Sequence, residues 1–134
     1  MTSNNKITTG FIAAGLMNMS VLVFSRFFTN SVITETDPVV ASNFGLLMIV
    51  IWGLAYISVA RKYNHVKWLV GVFAIEKLIY GIVWTMWILN NRVSDVFAKD
   101  IMAGIFFSVY GVNDLIFCVF FTIVFIRMKP TVNR

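Results

Sequence analysis

The stretch "FAIEKLIYG", Phe73 to Gly81, sets a carboxylic acid and a primary amine side by side in an otherwise apolar run. A second carboxyl, Asp114, stands in "YGVNDLIFC", again deep inside an apolar segment. Three such groups could bind a polar ligand, hold or pass a proton, or act as general acid and base. A charged side chain costs about 2.5–3.5 kcal/mol at the centre of a membrane helix, so three facing lipid alone would cost about 8–10 kcal/mol. They must face one another or a water-filled cavity. Lys77 is placed to pair with Asp114. Glu76 lies about 100° round the helix from Lys77 and cannot aim at the same spot. With all three ionised the cluster would be net negative, which favours one carboxyl keeping its proton. Glu76 is the candidate, as proton carrier or hydrogen-bond donor.

Depth counting at about 1.5 Å per residue adds further polar groups at the same level. Asn18 falls at the middle of the first apolar segment, and Asn113 beside Asp114 at the middle of the last. Glu76, Tyr80 and Trp84 repeat every four residues along one helical face, and Tyr110 precedes Asp114 by the same interval. Buried tyrosine hydroxyls need partners, and these carboxyls are within a turn. The candidate ligand- or proton-binding set is therefore Glu76, Lys77, Asp114, Asn113, Asn18, Tyr80, Tyr110 and Trp84. Arg26 lies two turns outward of Asn18, where it either snorkels to an interface or caps the cluster. The plainer reading is that buried polar pairs hold helices together, at about 0.6 kcal/mol each. Asn18 suits that role well. Trp52, Tyr56 and the phenylalanines of the last segment read as packing or lipid contact, and Gly10, Ala14 and Gly15 as sites of close helix approach.

Four long apolar segments must carry these residues: Ile7–Phe28, Ser42–Ala60, Val66–Leu89 and Ile101–Ile126. Each approaches or exceeds the roughly 20 residues that a membrane-crossing helix needs, and none contains proline. Composition agrees. The 134 residues are 59% hydrophobic and only 13% charged, with a mean hydropathy of +0.83, against about 25% charged in a soluble domain. Continuous runs of this kind mean helices rather than the alternating strands of a barrel. The connector with Arg61, Lys62 and Lys67 and the tail with Arg127, Lys129 and Arg134 are the basic ones, and Lys6 joins them at the N-terminus. The positive-inside rule puts all three on the cytoplasmic side. The expected fold is one all-α domain, an integral membrane four-helix bundle with both termini inside.

Several chemistries are excluded. The net charge of +5 sits at segment ends rather than in a stripe, which argues for membrane orientation and against nucleic acid. The one histidine, His65, and the one cysteine, Cys118, provide no haem pair, metal cluster or dithiol. No phosphate loop or nucleophile elbow occurs, so no cofactor is expected. The first segment is too long for a cleaved signal peptide.

The first segment, "GLMNMSVLVFSRF", resembles the opening helix of small four-helix bacterial membrane proteins of the DoxX-like and BphX-like groups. That resemblance implies a four-helix bundle in a bacterial inner membrane and little about activity. Small multidrug exporters share the size, but their essential glutamate lies in the first helix, where this chain has Asn18. Three functions remain: binding or transport of a small amphipathic ligand or protons; service as an accessory subunit or assembly factor; and acid/base isomerisation of a lipid-like substrate. The expected partners are the bilayer itself and either further copies of the chain or other membrane subunits.

Overall fold

The computed structural model describes residues 3–129, so Arg134 of the basic tail lies outside the described residues. The elements are α1 (Ser3–Met19), α2 (Val21–Phe24), α3 (Ser31–Thr36), α4 (Asn43–Val59), α5 (Lys67–Asn90), α6 (Val93–Lys99) and α7 (Ile101–Arg127), with a 3-10 turn at Tyr63–His65 between α4 and α5. There is no strand among the described residues. Three helical stretches, Asn4–Phe24, Lys67–Asn90 and Ile101–Arg127, are long and apolar enough to cross a membrane. Helix α4 is as apolar but has 17 residues, or roughly 25 Å.

Local chemistry fixes the helix starts. Ser42 caps α4 by accepting a hydrogen bond from the Gly45 amide at 3.1 Å. Pro38 bars helix before it, and Asp37 Oδ1 accepts from the amides of Val39 and Val40, both at 3.1 Å. Asp100 caps α7 through the Ala103 amide at 2.8 Å.

The first apolar segment departs from the expected continuous helix. It breaks at Ser20, whose hydroxyl donates to the Met17 carbonyl at 2.5 Å. After α2 the backbone of Arg26, Phe27 and Phe28 turns left-handed, with φ of 48°, 53° and 68°. For residues other than glycine this costs roughly 1–2 kcal/mol each, so something else must hold it. Ser25 Oγ accepts from the Phe28 amide at 3.1 Å. Asn30 Nδ2 donates to the Phe24 carbonyl at 3.2 Å and to Asp100 Oδ1 at 2.9 Å. Arg26, more than half exposed, pairs with Asp100 Oδ2 at 2.7 Å rather than with the central cluster. Between the long helices lie the short helices α3 and α6, which pack on each other at this end.

The long helices associate as two pairs, α1 with α4 and α5 with α7. Small residues let the pairs close. A Cβ on Gly15 would lie 2.7 Å from the Gly53 carbonyl, and one on Gly53 would lie 2.9 Å from the Gly15 carbonyl. Gly111 leaves its space to the Trp84 indole. Between the pairs lie two apolar clusters. One, around Trp84, Trp87, Phe106, Phe107 and Tyr110, faces α2, α3 and α6. The other, around Phe11, Tyr56, Phe73 and Phe121, faces the chain ends. Leu16, Leu54, Ile75, Ile79, Met86, Ile116 and Val119 point outward and are exposed.

Candidate functional site

A layer of polar side chains separates the two clusters, and each long helix contributes to it. Asn18, near the end of α1, packs its Cβ against Gly53 of α4. Its amide donates to the Ile49 carbonyl at 3.0 Å, which ties α1 to α4. Its Oδ1 accepts from Lys77 Nζ at 2.8 Å. Lys77 is only 1% exposed and also meets Asp114 Oδ1 at 2.6 Å. Its ammonium lies 5.3 Å from the centre of the Tyr56 ring, within cation–π range. Lys77 thus bridges both helix pairs. One substituted partner would leave a buried charge uncompensated, a loss of about 3–5 kcal/mol.

Glu76 turns the other way round α5, as its position next to Lys77 requires. Its Oε2 accepts a hydrogen bond from the Tyr56 hydroxyl. Tyr56 packs in the core as expected and also supplies this donor. A signal for it existed: a buried phenol needs an acceptor, and Lys77 had claimed Asp114 but not Glu76.

Above the polar layer, towards α2, lies a cavity of about 180 Å³. An apolar protein cavity of about 150 Å³ holds a benzene ring, so this one accommodates a ring or a short chain. Its floor is Asn18, Glu76, Lys77, Asn113 and Asp114, and Tyr80 and Tyr110 stand beside them. Its walls are apolar: Met17, Val21, Phe24, Ile49, Phe106 and Val109, with Ser20 at the break in the first segment. Depth counting found none of these wall residues, because apolar side chains give no depth signal. The mouth lies between α1 and α7, where Met17 and Val109 are 43% and 39% exposed.

Seven of the eight candidate residues line this one cavity. Trp84 does not. Its Nε1 donates to the Phe107 carbonyl at 2.7 Å, and its ring meets Tyr110 edge-on at 6.4 Å. It supports the wall from behind. The Tyr110 hydroxyl and Trp87 Nε1 are buried and find no partner among the described residues.

Below the polar layer the interior is closed. Phe11, Tyr56, Phe73 and Phe121 are fully buried. Their rings lie 4.8 Å apart for Tyr56 and Phe73, 5.1 Å for Tyr56 and Phe121, and 5.1 Å for Phe11 and Phe121. These packed rings separate the cavity from the chain ends.

At that end, outside the long apolar stretches, Asp100 is held down at about pH 2 by the Ala103 amide, then by Asn30 and Arg26. His65 is exposed in its turn, and Cys118 Sγ donates to the Ala74 carbonyl at 3.4 Å. No three metal-ligating side chains cluster among the described residues. Comparison with protein-family models, with characterised proteins and with solved structures finds no match to this chain.

Proposed function

We propose that the protein binds a small, mostly apolar molecule with one polar end, inside a membrane bundle of four spans. One observation carries this reading: a ring-sized cavity with apolar walls ends on a floor of charged and amide groups in which Lys77 is paired with both Asn18 and Asp114. The polar end of the ligand would meet Asn113, Asp114 and Lys77, and the apolar part would lie against Val21, Phe24 and Phe106. Entry would be sideways, between Met17 and Val109, directly from hydrocarbon. The closed aromatic layer favours a receptor or carrier over a through-channel. The accessory-subunit reading needs charges turned outward, whereas Glu76, Lys77 and Asp114 are all buried within one chain.

Four spans require α4 to cross with 17 residues, which suits a thin or locally pinched bilayer. The basic groups at the chain ends and in the Arg61–Lys67 connector support both termini on the cytoplasmic side, in keeping with a bacterial inner membrane.

The test is native mass spectrometry of the protein released from its own membrane in mild detergent. Wild-type protein is expected to carry a small-molecule adduct. Val109→Phe, which plugs the mouth, is expected to lose it with helicity unchanged. An adduct equally retained by Val109→Phe, or none in wild type, would sink the reading.

A further inference from the structure

The two ends of the bundle differ in charge. The end where α1 begins and α4 stops carries Lys6, Arg61, Lys62, Lys67, Arg127 and Lys129, with no acidic residue near them among the described residues. The opposite end sets Arg26, Arg92 and Lys99 against Glu35, Asp37, Asp95 and Asp100. The basic end also holds a recess of about 300 Å³, lined by Asn4, Asn5, Thr8, Arg61, Tyr63 and Asn64. Each of these side chains carries a hydrogen-bonding group, and none is a carboxylate. The recess is built on a firm base. Tyr63 is buried, stacks on Phe11 at 5.5 Å, and donates its hydroxyl to Asn4 Oδ1 at 3.1 Å.

We propose that this recess holds the phosphate of an anionic phospholipid headgroup, a second site independent of the cavity. The inference rests on the membrane reading of the bundle and not on the bound ligand. The chemistry is that of phosphate recognition: one guanidinium with its fork of donors, surrounded by neutral amide and hydroxyl groups, and no acid to compete for them. Lys67 is already engaged, donating to the Met128 carbonyl at 2.5 Å, so Arg61 is the cation that the recess itself presents. Position argues for a lipid rather than a free anion. The recess sits where apolar helices give way to the basic end, and Trp68, 77% exposed at the start of α5, marks the same boundary. A bilayer carries its phosphates at that depth, and anionic leaflets are drawn to clustered Lys and Arg.

The full chain is reconstituted in nanodiscs of equal phosphatidylglycerol and phosphatidylcholine, and the lipids that stay bound on ejection are counted by native mass spectrometry. Wild type is expected to retain phosphatidylglycerol preferentially. Arg61→Gln should cut that preference about tenfold, the worth of a hydrogen bond to a charged group. Lys99→Gln at the other end should leave it unchanged. If Lys62→Gln lowers the preference as much as Arg61→Gln, the effect is a diffuse field and the recess is not a site. If excess inorganic phosphate abolishes the preference, the site takes free phosphate and the lipid assignment is overturned.

Discussion

The two halves of this bundle are built from the same kinds of residue and finished differently. Between the polar layer and the basic end, aromatic rings fill the interior, and the two buried phenols are both satisfied, Tyr56 by Glu76 and Tyr63 by Asn4. Between the layer and the Arg26–Asp100 turn there is a cavity, and Tyr110 and Trp87 keep buried hydrogen-bond donors without partners. A native interior rarely leaves such groups unpaired. The closed half makes a rigid floor, and the open half keeps volume and donors in reserve for something else to meet.

The comparison breaks most sharply at the layer itself. Asp114→Leu should destabilise the protein by about 3–5 kcal/mol, because Lys77 keeps its charge with one partner gone. Adding Lys77→Met should recover most of that loss, as a well-packed apolar pair replaces the ion pair. Both are read from unfolding in mixed micelles. Recovery absent from the double variant would mean that the pair does more than satisfy itself.

A smaller effect sets the two halves against each other directly. Tyr56→Phe should cost about 1–3 kcal/mol, since a buried Glu76 oxygen loses its donor. The identical change at Tyr110 should fall within about 0.5 kcal/mol of zero, because no partner is lost. Equal losses at the two positions would erase the distinction drawn between the halves.

Between these in size falls a pH effect at the Arg26–Asp100 turn. The Asp100 carboxyl is depressed from 3.8 to about 2, so it stabilises the fold fully above about pH 4 and loses that contribution as pH falls towards 2. The group is near solvent, so screening keeps the effect small. Asp100→Asn retains a capping side chain and should flatten the unfolding midpoint over this range. A midpoint that falls just as steeply in the variant would assign the acid sensitivity elsewhere.

How much of this was legible in advance depended on whether the cause was local. Asn18, Lys77 and Asp114 could be placed at one level because every helix rises by the same distance per residue, so counting sufficed. The rotation of α4 against α5 is a property of packing, so Tyr56 was legible as a packing residue, which it is, but its hydrogen bond to Glu76 was not. The cavity walls were invisible because Val21 and Phe106 look like any other apolar residue. The break after Met19 and the left-handed turn carry no glycine or proline to announce them. Helix α6, seven residues of "VSDVFAK", is too short to show an apolar period.

That turn has a consequence for the order in which the molecule can be made. Arg26 and Asn30 are held by Asp100, 74 and 70 positions later in the chain. While the first segment emerges from the ribosome, only the local bonds of Ser25 and Asn30 are there to offset the left-handed backbone, and the Asp100 carboxylate is still missing. Only when the start of α7 has been made can Asp100 complete the turn through Arg26 and Asn30. The cavity is likewise closed late in synthesis, since Phe106, Val109, Tyr110, Asn113 and Asp114 of α7 form much of its lining.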